Sequence, residues 1–310
     1  KKRKQVFLPL YEAKMVQIYD HRAASVVVDD TNWMRQGQTD STTLVQHQNP
    51  EYAVEPRWWV DAAEVLQSIG RELPAGFVAF KDITSPTNQR TMIAAALPWT
   101  GVTNHLPLML TDHEPRRRLC LLANLNAFVL DYVARQKIGG VTLNFFIVEQ
   151  LPIFGPDFYG RKCPWSPREI LEKWVSDRVL KLTCVSNDMK PLAEAARFKP
   201  IVYRWDLPER AKLQAELDAA FFLLYGVRRE EVEYILSTFN GTRRESEDLL
   251  TGGTTAGQIL TCYDRLWEAA ASTSTQANSP GRRKMARSRS YHIETMHGEE
   301  SRNDTYDAKM

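Results

Sequence analysis

The residues of this chain that could do chemistry are few and poorly spaced for it. Six histidines, His21, His47, His105, His113, His292 and His297, form neither an H-x-x-x-H nor an H-E-x-x-H pair, the spacings that turn two imidazoles toward one metal ion. Cys120, Cys163, Cys184 and Cys262 stand far apart without a C-x-x-C, so they define neither a zinc site nor a disulfide framework and fit a reducing cytoplasm. Glu12-Ala13-Lys14 has the E-x-K order of a magnesium-dependent nuclease centre, where carboxylates hold the ion and lysine activates water. No aspartate precedes it by a strand, so charge at a strand end is expected instead. Gly252 to Gln258, GGTTAGQ, lacks the lysine of a phosphate-cradling loop and reads as a turn. Asn49-Pro50-Glu51-Tyr52 has three of the four residues of an N-P-P-Y turn, in which a ring stacks on a flipped base while the asparagine and a prolyl carbonyl accept from its exocyclic amine. Here TTLVQHQ, not an apolar strand, leads into it and no glycine-rich cofactor loop lies upstream. The sequence therefore assigns no catalytic residue and no metal ligand, and no nucleophile elbow is present.

The polar residues that remain must be positioned by ordinary elements. Short apolar runs bounded by turn formers, VFLPLY, ASVVV, GFVAF, TMIAAALP and LPLML, predict strands of a mixed sheet in the first hundred or so residues. Asp29 to Pro56, polar and without pattern, predicts a long surface loop. From Pro115 the period changes: Leu119, Leu122, Leu125, Phe128, Val129, Tyr132 and Val133 recur at helical spacing, and Gly139-Gly140 stops the helix. A second helix is predicted to begin at Ser166, with Pro167 in its first turn and Glu169 completing a capping box, and a third at Asp206, with Glu209 three residues on and Gly226 closing it. REEVEYILSTF reads as the partner of the third in a helical hairpin. The expected class is α+β: a β-rich part over residues 1–112, a helical part over 113–270, and a disordered polar tail over 271–310. The tail's Arg282, Arg283, Lys284, Arg287 and Arg289 could touch phosphate, but a solvated charge block is the plainer reading.

Composition supports a core and excludes little else. The chain has 310 residues, 43% of them hydrophobic, and a formal net charge of +2, so any anionic partner must be met by local clusters. No apolar run approaches the roughly 20 residues a bilayer requires, and the basic start KKRKQVFLPLYEAK lacks the apolar stretch of a secretion signal. A cytoplasmic protein with no membrane partner is expected. The tryptophans Trp58, Trp59, Trp99, Trp165, Trp174, Trp205 and Trp267 are expected mostly in core or interdomain packing.

Five blocks, taken in order, resemble a known family: FLPLYEAKMVQIYDHRAAS at Phe7 to Ser25, PRWWV at Pro56 to Val60, FKDITSPTNQRTMIAAALP at Phe80 to Pro98, LLANLNAFVLDYVARQKIGGVTLNFFIVEQLPI ending at Ile153, and DLPERAKLQAELDAAFFLLYGV from Asp206. They look like the C-terminal portion of large N6-adenine DNA methyltransferases of type IIG restriction-modification enzymes and related phage-defence systems. The L-N-A and Q-L-P-I elements resemble TaqI-like specificity domains. The resemblance runs from about Phe7 to Leu266 and implies a target-recognition domain, the part that selects the DNA sequence. In that family the cofactor loop for S-adenosylmethionine and the N-P-P-Y motif lie upstream of the matching region. The resemblance thus implies a fragment, split gene product or separate specificity subunit, with no cofactor of its own and no methyl transfer when alone. Its partners would be double-stranded DNA and a methyltransferase catalytic domain or subunit, in cis or in trans.

Under that resemblance the double-glycine break becomes the first candidate for a DNA-facing site. A helix with one apolar face buries it and leaves its C-terminal turn, Arg135, Gln136 and Lys137, at the surface. Arginine and glutamine pair bidentately with guanine and adenine edges, and lysine more often meets phosphate. Gly139 and Gly140 permit close backbone approach, and Thr142 and Asn144 add polar contacts. Thr84, Asn88 and Arg90, on a polar loop with Asp82 and Gln89, could address a groove, and His21 and Arg22 could reach phosphate. Each has a plainer alternative: cations stabilise the last turn of a helix and glycine ends one, a loop around Pro86 is a solvated turn, and His21 and Arg22 can serve structural hydrogen bonds. The rival to DNA recognition is a docking subunit, whose helical part, Pro115 to Ala270, binds a methyltransferase or other defence subunit and touches DNA little.

Overall fold

The computed structural model describes residues 5–29, 31, 36–70, 74–242 and 253–277. Its strands gather in the N-terminal half and its helices toward the C-terminus, an α+β arrangement. The strands are β1 (Phe7–Tyr11), β2 (Ala24–Val26), β3 (Thr39–Ser41), β4 (Trp58–Asp61), β5 (Phe77–Phe80), β6 (Ala94–Leu97), β7 (Gly101–Val102), β8 (Leu108–Met109), β9 (Lys162–Cys163) and β10 (Ser166–Ile170). The helices are α1 (Leu44–Gln48), α2 (Ala62–Ile69), α3 (Pro115–Asn126), α4 (Phe128–Lys137), α5 (Phe145–Val148), α6 (Leu171–Thr183), α7 (Lys190–Ala195), α8 (Leu207–Leu224), α9 (Arg229–Ser237) and α10 (Thr255–Ala277). None of the described helices is long and apolar enough to cross a membrane.

Among the described residues the strands form two three-stranded sheets and two hairpin-like pairs, one of which, β9-β10, lies in the helical part. One sheet has the order β4-β1-β7, with β1 antiparallel to β4 and parallel to β7; the other runs β6-β5-β8 and is antiparallel throughout. The all-apolar strings FVAF and AAAL are explained by the second sheet. Val78, Phe80, Ala94 and Ala96 face the large helical core, whereas Phe77, Ala79, Ala95 and Leu97 face a smaller core with Tyr11, Met15, Val16, Val26 and Leu106. A strand covered on both faces loses the apolar-polar alternation that a half-solvated strand keeps. Gly101 begins β7 because a Cβ there would stand 2.6 Å from Val60 Cγ1 and 3.1 Å from Leu10 Cδ1.

The helical part is built on α3, α6, α8 and α10. Asp206 caps α8, its side chain accepting from Glu209 N at 2.9 Å, and Gly226 closes it at φ +71°, as the sequence predicts. Elsewhere the prediction fails. The helix expected from Pro115 to Gly139 is two helices broken at Ala127, whose φ of −69° and ψ of 137° are extended. Apolar spacing survives a one-residue break, so it does not report one. Asn124 O and Asn126 Oδ1 take up the backbone donors of Ala127 and Ala94 there. Ser166 to Ile170 forms β10 rather than a first helical turn; Ser166 Oγ does donate to Glu169 Oε1 at 2.7 Å, but along that strand. The stretch from Asp29 to Pro56 carries β3 and α1 within it, the latter closed by a Thr43–Gln46 capping box. Within GGTTAGQ, Thr255 to Gln258 belong to α10 rather than to a turn, and α10 runs past the expected tail boundary to Ala277. The tail's basic cluster lies outside the described residues. Trp165, Trp174 and Trp205 are buried as expected, but Trp58, Trp59 and Trp267 are exposed.

Candidate nucleic-acid interface

Two segments far apart in sequence meet at one surface. The 81–93 loop joins β5 to β6, and the 138–144 hinge joins α4 to α5. Ile83 and Thr142 form an isolated antiparallel bridge, Thr84 N donates to Val141 O at 2.9 Å, and Leu143 N donates to Asp82 O at 2.7 Å. The sequence-predicted positions Thr84, Asn88 and Arg90 are thus brought beside Arg135, Gly139, Gly140, Thr142 and Asn144.

The fastening comes from the arginines proposed above as DNA readers, and this corrects their role. Arg135 donates to Thr91 Oγ1 at 3.1 Å, to Gln89 O at 2.9 Å, to Asn88 O, and to Thr238 O at 3.3 Å, and its guanidinium lies 3.8 Å from the centre of the Phe239 ring. Its side chain is 7% exposed. Burial lowers its pKa from the ordinary value, opposed by the Asp131 charge, yet an arginine so placed stays a cation. Arg90 pairs with Asp131 at 2.7 Å, donates to Asn126 O and stacks 4.0 Å over Phe128. Asp131, fully buried, also accepts from Thr91 N and Met92 N. Neither arginine has a fork to offer a base, and Thr84 does not face a groove either, being buried with its hydroxyl donated to Thr91 O at 2.7 Å. An apolar helix face implies only that something polar ends up outside; it does not say that a long guanidinium will fold back across the end of its own helix.

Beneath the start of α4, Asp218 of α8 accepts from Phe128 N at 2.9 Å. Burial pushes its carboxyl up to about 6, against the pull of Arg90.

What faces outward from the joined loops is Gln136, Lys137, Asn88, Gln89, Asn144 and the backbone of Gly139 and Gly140, all exposed. Lys137 Nζ donates to Gln150 Oε1 at 3.2 Å. Sequence reasoning missed the apolar tip beside them: Val141 and Phe145 are each 65% exposed, Phe146 60%, and Ile83 45%. FFIV reads as a buried run. On a four-residue helix only Ile147 turns fully inward, so adjacency of two phenylalanines over one helical turn was the available signal.

His21 and Arg22 belong to a separate buried network and cannot reach phosphate. Arg22, 0% exposed, donates to Asn49 O at 3.0 Å, Tyr52 O at 2.9 Å, His47 O at 2.9 Å and Val185 O at 3.4 Å. His21 meets Asp188 at 3.0 Å, while His47 meets Asp20 at 3.0 Å and stacks on Trp205. Burial would raise the carboxyls of Asp20 and Asp188, but the two histidines, each on its own partner, hold them below the usual range. The same network settles Asn49 to Tyr52: Asn49 Oδ1 accepts from Glu51 N at 3.0 Å, Pro50 O from Asn187 N at 2.9 Å, and the Tyr52 hydroxyl meets Ser25 Oγ at 3.1 Å. Each acceptor that would hold an amine already has a partner within the fold.

No protein-family model matches the chain, and no curated protein and no solved structure is significantly similar to it.

Proposed function

We propose that this chain is a sequence-specific double-stranded DNA recognition module that positions an adenine-N6 methyltransferase catalytic domain, and that the joined 83–90 and 136–146 segments are its groove-facing surface. The observation that carries the reading is a pair of loops fixed to one another by internal arginines, with free amide side chains and two bare glycines at the rim. Asparagine and glutamine amides donate to and accept from an adenine edge together, at roughly 1 to 3 kcal/mol of discrimination per good pair. A rigid support loses little entropy when they do so. The reader passes from Arg135 to Gln136, Asn88, Gln89 and Asn144. In this reading S-adenosylmethionine is bound by the catalytic partner, and the chain alone transfers no methyl group.

A second reading, a docking surface for a protein subunit, is favoured by Ile83, Val141, Phe145 and Phe146, four apolar side chains exposed on the same tip. Binding selection from a randomised duplex pool separates the two. A DNA reader enriches a motif, and Gln136→Ala with Asn144→Ala relaxes it without unfolding the protein. Recovery of no motif, with binding equal for all sequences, would sink the recognition reading and leave docking.

A further inference from the structure

The joined loops have a shortage: with Arg90 and Arg135 turned inward, Lys137 is the one exposed cation among the site positions described above. Amides select bases, but affinity for a duplex comes largely from neutralised phosphates. A reader of this kind needs an electrostatic anchor elsewhere on the molecule.

We propose that the start of α7 and the connector between α7 and α8 form that anchor, and that Lys190, Arg197, Lys199 and Arg204 bind the sugar-phosphate backbone of the same duplex. The inference rests on the DNA-recognition reading. All four residues are exposed, and their side chains make no hydrogen bond or ion pair among the described residues. Lys181 adds a fifth cation, 5.3 Å from the Tyr203 ring. The acid exposed between Lys190 and Arg204 is Glu194. The platform is held at both ends, by Arg116 Nε donating to Ala196 O at 2.9 Å and by Tyr203 N donating to Cys184 O at 2.7 Å.

Arg197 supplies the independent sign that this charge serves something outside the fold. It sits at φ +52°, just past the end of α7, where Arg197 N donates to Glu194 O and Phe198 N to Ala193 O, each at 2.9 Å. That left-handed closing position is glycine's, since a Cβ is disfavoured there. The helix is already closed by backbone bonds, and beyond the general attraction of a cation to a helix C-terminus the guanidinium bonds nothing in it. Distance permits a shared duplex. The connector is tied to the N-terminal end of α3 and the joined loops lie at the C-terminal end of α4. Those two helices, of 12 and 10 residues, bound the separation at roughly 33 Å at about 1.5 Å per residue, within one duplex turn of roughly 34 Å.

The test uses the full chain and a labelled duplex of random sequence, with affinity measured across a salt series. Arg197→Gly is expected to leave Tm unchanged or raised while the slope of log K against log salt falls by about 0.9. With Lys199→Gln and Arg204→Gln added, it should fall by about 2.7, near 0.9 for each phosphate no longer neutralised. Wild-type binding with the slope unchanged in the triple variant overturns this inference and leaves the amide reader standing. Wild-type protein that does not bind duplex at all overturns both. Loss of binding to polyglutamate, with duplex binding intact, assigns the connector to an acidic protein and also overturns the inference.

Discussion

Arg135→Ala should cost stability before it costs recognition. The arginine spans α4, the 88–91 loop and the turn after α9. Removing it deletes a stack on Phe239 worth about 1 to 2 kcal/mol when largely desolvated. It also deletes charge-assisted bonds to Asn88 O, Gln89 O and Thr238 O. Those carbonyls sit at exposed residues and can turn to water, so each bond counts for about 0.5 to 1 kcal/mol rather than the value of a buried one. Thr91 Oγ1 keeps its own bond to Ser85 O at 3.1 Å. Allowing for non-additivity, the loss is about 3 kcal/mol, or roughly 6 to 9 °C in Tm for a chain of this size. Denaturant unfolding measures the loss. Hydrogen exchange localises it, because the Thr84 and Leu143 amides that tie the loops should exchange faster. Arg135→Lys should recover less than half, having neither the planar fork nor the stack. A variant within about 0.5 kcal/mol of wild type, the range of ordinary surface changes, would refute the fastening role and return Arg135 to the candidates for base contact.

Asp218→Asn should stabilise the protein at neutral pH. The carboxyl is raised in the fold to about 6 from an ordinary 3.8, so the folded state holds a proton the unfolded chain releases. The resulting stability is present below about pH 4 and lost as pH rises through 6. Asparagine keeps the acceptor for Phe128 N without the buried charge, a gain of up to about 3 kcal/mol above pH 7 that shrinks toward zero at pH 4; a gain independent of pH in thermal melts would contradict this. Gly101→Ala should destabilise by about 1 to 3 kcal/mol through its collision with Val60, and Val60→Ala in the same chain should recover part of the loss in denaturant titrations. Gln136→Ala with Lys137→Ala should leave Tm within about 1 to 2 °C while weakening duplex binding in gel-shift titrations. Equal binding would remove α4's last turn from the interface.

Element type was more legible in the sequence than element ends, and ends more legible than side-chain direction. The strands β1, β2, β5, β6 and β8 and the helices α8 and α9 follow from local pattern, because turn formers and the Asp206 cap act within a few residues. The break at Ala127 and the strand at Ser166 do not, since tertiary bonds to Asn124, Asn126 and the β9 edge decide them. For the site, the two loops could be named separately, but not that they touch. Their meeting depends on the Ile83–Thr142 bridge, a pairing across 59 positions. The cations misled for a physical reason: arginine is equally suited to a guanine edge and to a row of backbone carbonyls, and only coordinates tell which it meets. Arg22, fully enclosed by four carbonyls, is the extreme case. The cations from Lys190 to Arg204 carry no sequence signal because prolines and aliphatics dilute them below the density of a charge block.

The central sheet, with one face in each core, has a consequence for how the molecule comes apart. Cutting the polypeptide near residue 112 would strip β5 and β6 of the helices that cover Val78, Phe80, Ala94 and Ala96, leaving each piece with a raw oily flank. Neither half is built to survive by itself, and melting should proceed as a single event in which loss of either side removes the other's wall.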